Sequence, residues 1–402
     1  MNIKKIVYWY LVLYLMLDIL MGFILKYLSL QSVLIINPGQ LVRGVLLLLL
    51  ILELISSFSK NNNLNQIAFY FFLYIVSLGV ALSLIYQDIG VIALELYNIS
   101  KILFVVLLVN YIKKNKDIYV ENYNKIMIFN FILLSINLNI GYFFDLGLDT
   151  YEYAEATTKG FLYGGNSASV LSMVFFAYLL MGDNKSKFNY LLILVAIFNM
   201  YIVGSKVIFL LPLVLLIYFI KSMKDRKLLG LLLIALFIGA SYYGFNEYKH
   251  EIIEIYDNRY RATLRRGNII DNNYNAYGIQ NIRRVKDSIN QIEFQFSEYN
   301  RVLFGIGLKG QRDFYDRDGL EFAAMDPVDI MFNYGIIAVI LIYIILLKNS
   351  VFVRGQGVFS INSVNIPFYV ILFYSIFGGY VMFSLTSGTM LAFLAGIQYK
   401  YN

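Results

Sequence analysis

The sequence predicts an all-α, polytopic membrane protein with about twelve transmembrane helices. Three observations lead to this fold class. The 402 residues are 59% hydrophobic and only 15% charged, whereas soluble domains are about 25% charged. Apolar stretches of about 20 residues, the length that crosses a bilayer, recur along the chain. Most of the basic residues outside the long polar segment 245–327 lie in short loops between these stretches. The composition therefore argues against a soluble enzyme, a disordered chain and a nucleic-acid-binding domain.

The first predicted span follows a basic start, Met1–Lys5. Its apolar stretch exceeds the hydrophobic part of a usual signal peptide and no small-residue cleavage site follows, so we interpret it as a membrane helix. Glu95 and Lys101 interrupt the fourth span, and Gly378-Gly379 between the last two spans is either a turn or a packing point within a helix. The predicted spans are 6–28, 41–58, 67–86, 91–112, 126–144, 166–182, 188–204, 207–222, 228–244, 328–347, 364–379 and 381–398.

The charge of the loops predicts the orientation. If the N-terminus is cytoplasmic, the basic loops all fall inside, in agreement with the positive-inside rule. The short outer loops hold little beyond Lys159 and Lys206. Both termini are then cytoplasmic, and we expect a multi-pass protein of the plasma (inner) membrane. The basic residues on the cytoplasmic side are Lys60, Lys113, Lys114, Lys116, Lys185, Lys187, Lys221, Lys224, Arg226, Lys227, Lys348, Arg354 and Lys400.

A long polar segment, residues 245–327, separates a membrane domain of about nine spans (1–244) from one of about three (328–402). The segment carries 12 Lys/Arg and 13 Asp/Glu and is predicted to be extracytoplasmic. Loops of this length are uncommon and often functional. Apolar residues at helical spacing predict an amphipathic helix at about 278–298, lying on the membrane surface or on the spans. A second helix is predicted near 247–264.

Few residue types are available for chemistry. The chain has no cysteine and one histidine, which removes disulfides, thiolate nucleophiles, iron–sulfur clusters and multi-histidine metal sites. We expect His250 on the surface of an amphipathic helix, with a general-base role as the alternative.

Some ionisable residues lie within or near the ends of predicted spans, where an unpaired charge is costly. One interpretation is a proton or ion path, as in a transporter. The other, which we favour, is structural pairing, for example of Glu95 with Lys101. The residues concerned are Asp18, Arg43, Glu53, Glu95 and Lys101.

Charged residues on the predicted outer side fit a phosphate-bearing substrate. Arg283, Arg284 and Lys206 supply the fixed positive charge that a diphosphate leaving group needs. No nucleotide sugar or ATP is available outside, so such a substrate is expected to be lipid-linked. Asp326 and Asp329 open the tenth span, where a carboxylate can take a proton from a sugar hydroxyl. The alternatives are cation contacts with lipid head groups or the loop's own acids, and helix capping by the acids.

Four short motifs follow one another between about residues 150 and 345. They are Lys159–Asn166 (KGFLYGGN), Val203–Lys206 (VGSK), Leu303–Gly307 (LFGIG) and Asp326–Ile337, which ends in Asn-Tyr-Gly-Ile-Ile. With the many spans and the large late loop, they resemble the superfamily of polysaccharide (Wzy) polymerases and O-antigen ligases. Lys206 stands where the family has Arg, so the bidentate fork is lost. Asp326 stands where ligases have His, which favours a polymerase.

The resemblance implies a membrane glycosyltransferase of the GT-C type that polymerises oligosaccharide repeat units. The donor would be a growing glycan on polyprenyl diphosphate and the acceptor a hydroxyl of the next lipid-linked repeat unit, with inversion at the anomeric carbon. It implies no metal, cofactor or nucleic acid, and as partners the bilayer, a chain-length regulator and a flippase. It assigns catalysis to Asp326, Arg283 and Arg284, and substrate binding to Lys206, Lys159, Asn166, Arg301 and Asp329.

Other functions stay open at this point. A flippase or transporter of lipid-linked oligosaccharide is compatible with twelve spans and buried charges, although one large loop after the ninth span does not indicate the comparable halves common in transporters. A ligase that moves finished glycan onto lipid, wall or protein would share the fold and much of the site. A non-catalytic scaffold is less expected, because charge clusters on one outer loop.

Overall fold

The structure is a computed structural model, and it shows an all-α chain. It describes residues 2–27, 38–58, 63–87, 89–150, 157–162, 164–182, 186–204, 210–222, 289, 291–297, 299–318, 325–347 and 362–398. These residues form helices, with an isolated bridge between Asp149 and Thr158 and no strand among them. The chain divides into two compact units. The first unit comprises Met1–Asn130, Gln280–Ser360 and Phe368–Asn402, and the second comprises Phe131–Ile279 and Ile361–Pro367.

The helices follow the apolar stretches of the sequence. Every predicted span except 228–244 coincides with a described helix, and that span lies outside the described residues. The helices are α1 Ile3–Tyr27, α2 Pro38–Ser56, α3 Asn63–Tyr86, α4 Ile89–Lys114, α5 Lys116–Glu121, α6 Tyr123–Phe144, α7 Gly165–Met181, α8 Lys187–Val203, α9 Leu211–Ser222, α10 Tyr299–Phe304, α11 Gly307–Asp318, α12 Asp326–Leu347, α13 Asn365–Phe377 and α14 Leu385–Ile397.

Six of the described helices are long and apolar enough to cross a bilayer, namely α1, α2, α3, α4, α6 and α12. Four further apolar helices, α7, α8, α13 and α14, are shorter. The all-α membrane fold class predicted from composition is therefore confirmed at this level. The chain places α4 across both Glu95 and Lys101, so neither charge ends that helix.

Helix ends in the second unit carry the expected signals. The Ser186 side chain accepts a hydrogen bond from the Asn189 amide (3.2 Å) and caps the start of α8. Gly204, with φ of 65°, ends α8 in the left-handed conformation that glycine adopts without a steric penalty. The second motif is therefore a helix C-terminus followed by Ser205 and Lys206, which lie outside the described residues.

The core of the first unit is built on α4 and α14. Residues Ser387–Ile397 of α14 are all buried, as expected for a helix that is apolar on every face. A side chain at Gly388 would meet Val105, and one at Gly396 would meet Ile112. The two helices thus run parallel in close contact, and glycine permits that approach.

Two ion pairs hold charges that lie in or near the predicted spans of the first unit. The Arg43 guanidinium donates to the Asp18 carboxylate (2.6 Å) and to the Tyr10 hydroxyl (3.0 Å). Thr386 of α14 also donates to Asp18 (2.7 Å). Lys114 pairs with Glu53. These contacts support the structural interpretation of the acids in the spans.

The predicted pair of Glu95 and Lys101 is wrong. The Lys101 ammonium lies over the Tyr97 ring, 4.1 Å from its centroid, and Glu95 accepts from the Lys309 backbone instead. The reason is geometric, because residues six apart point in directions about 120° from each other around a helix.

Removing Asp18 alone is expected to destabilise the protein strongly. In Asp18→Ala the Arg43 charge stays buried without its partner, and breaking such a pair costs about 3–5 kcal/mol. Asp18→Ala combined with Arg43→Met leaves no buried charge, so we expect part of the loss to be recovered. Thermal unfolding in detergent measures both variants. A double variant as unstable as Asp18→Ala, or a single variant as stable as wild type, would contradict this account.

The last two helices differ from the predicted spans in length. Helices α13 and α14 have 13 residues each, or about 20 Å at 1.5 Å per residue, whereas the hydrocarbon core is about 30 Å thick. Between them, Gly379 and Tyr380 both have positive φ, 69° and 58°. Gly378-Gly379 is therefore a turn, and it extends to residue 384.

The described part of the predicted helix 278–298 shows which of its residues are buried and which are exposed. Gln291 and Gln295 are buried, whereas Ile289 and Phe296 are 48% and 64% exposed. These two residues of the predicted apolar side are therefore not buried against the described helices, whereas Phe294 of the same segment contacts Phe314 and Phe332. The segment 278–288 and the second predicted helix, 247–264, lie outside the described residues.

Candidate functional site

Helix α12 is broken at Gly335, where φ is 78° and ψ is 170°. A break leaves carbonyl oxygens of the preceding turn without partners inside the helix, which is costly in a bilayer. Groups from other elements satisfy them. Met331 O accepts from Gln295 Nε2 (2.7 Å), Phe332 O from Ile306 N (2.9 Å), and Tyr334 O from the Tyr74 hydroxyl (2.8 Å). The break is therefore supported by its surroundings.

Two glycines bring the third and fourth motifs into backbone contact. Gly305 and Gly335 both have positive φ, 72° and 78°. A side chain at Gly335 would meet the Leu303 and Phe304 backbone, and one at Gly305 would meet the Asn333 carbonyl. The motifs are separate in sequence, yet they form one interlocked element of the first unit.

Asp326, the first residue of α12 and of the fourth motif, is completely buried. Its Oδ2 accepts three hydrogen bonds, from the Ser375 hydroxyl (2.7 Å) and from the Val381 and Met382 amides (3.0 Å each). Its Oδ1 has no hydrogen-bond partner among the described residues. The carboxylate therefore joins the start of α12 to the break between α13 and α14 and keeps one oxygen unused.

Asp329 lies one turn further along α12 and belongs to a separate polar cluster. Its Oδ1 accepts from Gln311 Nε2 (3.0 Å), and Gln311 in turn accepts from Asn333 Nδ2 (2.8 Å). All three side chains are buried. This cluster joins α11 to the part of α12 that precedes the break at Gly335.

Glu95 is also buried and acts at the start of α11. Its Oε1 accepts from the Lys309 amide (3.2 Å), so a carboxylate from α4 stabilises the N-terminal turn of another helix. Nearby, Asn98 donates to the Tyr334 hydroxyl (2.9 Å). Among the described residues, the contact of Glu95 with the Lys309 amide is that of an inter-helix cap.

Arg301 lies in α10, directly before the third motif. Its guanidinium carbon is 4.3 Å from the centroid of the Phe294 ring, and Nη1 donates to the Ser297 hydroxyl (3.3 Å). The side chain is partly exposed. The contact with the ring is a cation–π interaction, and it positions the Arg301 guanidinium next to the third motif.

The first motif forms a tight loop in the second unit. The Asn137 side chain donates to the Lys159 carbonyl (3.3 Å) and accepts from the Phe161 amide (2.8 Å). Gly160 between them has φ of 60°. The Thr158 amide donates to the Ile202 carbonyl (3.1 Å), one residue before the second motif. The first two motifs are therefore adjacent, as the last two are in the first unit.

Asn166 is the second residue of α7 and is exposed. Lys159 is partly buried and its backbone is fixed by the loop. Both residues lie at the end of the second unit where the first motif leads into α7. Helix α7 itself is buried along nearly its whole length, so its start is held firmly.

The chain matches no family model, no curated protein and no solved structure. The function must therefore be argued from the residues of the site. Among the described residues, no group of three or more His, Asp or Glu side chains is placed to hold a metal ion.

Of the predicted site residues, the structure brings Asp326, Asp329 and Arg301 into the first unit and Lys159 and Asn166 into the second. Arg283, Arg284 and Lys206 lie outside the described residues. Sequence reasoning missed the groups that hold the site in place. They are Ser375, Gln311, Asn137, Tyr74 and the Val381 and Met382 amides.

Proposed function

We propose that this protein polymerises polyprenyl-diphosphate-linked oligosaccharide repeat units into a surface polysaccharide at the outer face of the plasma membrane. The proposal takes the chain as a Wzy-type polymerase with a GT-C-like arrangement of twelve crossings and both termini in the cytoplasm. The all-α apolar fold and the pairwise packing of the four motifs support it. No cofactor is required.

One observation carries the proposal furthest. Asp326 is a completely buried carboxylate with an unused oxygen among the described residues. Ionisable groups in membrane helices are expensive and are kept where they act. A carboxylate that faces a bound sugar hydroxyl would gain the hydrogen bond that Oδ1 lacks.

In the proposed reaction, Asp326 is the general base. The acceptor hydroxyl oxygen attacks the anomeric carbon of the donor glycan from the face opposite the diphosphate, and its proton passes to Asp326 Oδ1. The bond from the anomeric carbon to the diphosphate oxygen breaks, and its electron pair leaves with polyprenyl diphosphate. Arg283, Arg284 and Lys206 stabilise the leaving diphosphate, and Arg301, Lys159, Asn166 and Asp329 contribute to substrate binding.

A cell that lacks this protein tests the function. We expect it to display single repeat units outside the cytoplasmic membrane and no long polymer, because units are delivered but not joined. Gel separation of surface glycan and accessibility of the units to an added lectin or glycosidase measure this. Long polymer of wild-type length in that cell would sink the proposal, and long polymer that is left unattached would identify a ligase.

The second candidate is a flippase for the same lipid-linked units. The broken helix α12 and the break between α13 and α14 favour it, because transporters often bind substrate at discontinuous helices. The pairing of Asp18 with Arg43 and of Glu53 with Lys114 counts against it, since the acids are committed to partners. Repeat units trapped on the cytoplasmic side in the deletion cell would decide for the flippase.

A further inference from the structure

We propose that Ser375 and the non-helical segment 378–384 are positioning groups for Asp326, which occupy its Oδ2 and leave Oδ1 alone to receive the proton of the acceptor hydroxyl. This inference rests on the proposed polymerase function and adds residues to the same site. These residues follow the four motifs in the sequence and belong to none of them. Ser375 is a positioning residue, because it acts through Asp326.

The first argument is the hydrogen-bond capacity of the carboxylate. An ionised carboxylate has about two lone-pair sites on each oxygen. Oδ2 of Asp326 already accepts from Ser375, Val381 and Met382 at 2.7, 3.0 and 3.0 Å, so that oxygen is saturated. Three donors on one oxygen also prevent rotation of the group. Oδ1 is then held in a fixed direction with its capacity unused.

The position of the break between α13 and α14 along the axis of α4 also supports this role. Helix α14 contacts α4 from Gly388 at Val105 to Gly396 at Ile112, and α4 runs from Ile89 to Lys114. Helix α14 therefore starts level with the middle of α4 and follows only its second half. If α4 crosses the bilayer, segment 378–384 and Asp326 lie inside the membrane, below the end of α4 that is predicted to face outward.

Non-helical backbone at that depth is tolerated only where it is buried in protein or lines a water-filled cavity. Val381 and Met382 are buried, and their amides donate to Asp326. Tyr380 has φ of 58°, a left-handed conformation that is strained for a non-glycine residue. The Tyr380 amide also lies close to the carboxylate. A strained break that directs three backbone amides at one carboxylate is explained if the orientation of that carboxylate matters.

The third argument concerns the surroundings of Ser375. This side chain is completely buried in α13, and its hydroxyl has Asp326 as acceptor. The Tyr343 hydroxyl of α12 is close enough to interact with both residues. Hydroxyl groups therefore border the carboxylate, and an acceptor sugar would bring another of the same kind.

Three variants of Ser375 test the inference in membranes given lipid-linked repeat units extracted from the deletion cell. Ser375→Ala removes the donor, and we expect the maximal polymerisation rate to fall about tenfold with the apparent KM for repeat units unchanged. Ser375→Thr keeps the hydroxyl and is expected to retain most of the rate. Ser375→Cys, a weak donor of similar size, is expected to lie between them. Folded protein, measured by size-exclusion profile in detergent, should match wild type.

A wild-type rate in Ser375→Ala, or an unchanged rate with a raised KM, would overturn the inference. Equal loss of folded protein in all three variants would also overturn it, because Ser375 would then be a packing residue. Failure of the proposed function looks different. If Asp326→Asn is fully active, Asp326 is not the general base and the proposed mechanism fails. If Asp326→Asn is inactive but Ser375→Ala is fully active, only the positioning role of Ser375 is refuted.

Discussion

Asp326→Asn is expected to abolish long polymer while leaving the protein folded. The amide has nearly the shape of the carboxylate and can still accept from Ser375 at its one oxygen, but it cannot take a proton. General-base catalysis contributes about 10²–10⁴-fold, so we expect a loss of that size in the rate of polymerisation. Glycan chain length in cells that carry the variant, at matched protein level in the membrane, measures the effect.

Asp313→Asn is the matched control. Asp313 lies on α11, is about 40% exposed and pairs with Lys309 one turn away. Exposed pairs of this kind contribute about 0–1 kcal/mol, so the same substitution there is expected to leave polymer length unchanged. Polymer of normal length from Asp326→Asn would remove the general base from the account. Equal loss in both variants would show that the assay responds to altered charge and not to the site.

Gly335→Ala is expected to prevent correct folding of the first unit. Gly335 has φ of 78°, and a Cβ there would meet the backbone of Leu303 and Phe304. Backbone cannot move aside as a flexible side chain can, so strain and overpacking together are expected to cost about 2–5 kcal/mol. The yield of folded protein and its thermal midpoint in detergent measure this loss.

Gly44→Ala provides the comparison. No atom lies within 4 Å of a Cβ built at Gly44 in α2, and alanine is favoured over glycine in a helix by about 1 kcal/mol. We expect an equal or slightly higher thermal midpoint there. If Gly335→Ala unfolds at the wild-type temperature, the interlock of the third and fourth motifs is not what holds the break.

The helices were predictable from hydropathy, because the length and apolar composition of a span are contained in its own residues and do not depend on which helix it packs against. α3 and α6 are continuous apolar stretches, and their limits in the structure lie within a few residues of the predicted ones. The break in α12 was not predictable in the same way. Residues 336–347 are uniformly apolar and the polar residues before them fit a continuous helix equally well. The groups that satisfy the break, Tyr74 and Ile306, come from distant parts of the chain.

The candidate site was predictable where a residue type is costly in its place. Asp326 stands out because an acid opens an apolar stretch, and the structure gives it a specific environment. Ser375 does not stand out, because a serine inside an apolar helix commonly donates to its own backbone. Its actual acceptor is 49 residues away in sequence. Backbone amides such as those of Val381 and Met382 leave no trace in residue identity.

The central claim is that this chain joins lipid-linked repeat units, with Asp326 as the proton acceptor. The most direct measurement is reconstitution of the purified protein in liposomes with repeat units extracted from the deletion cell. The account predicts a ladder of products, each new glycosidic bond releasing one polyprenyl diphosphate, from wild type and not from Asp326→Asn. Intact repeat units that only change leaflet, with no ladder and no released diphosphate, would contradict it.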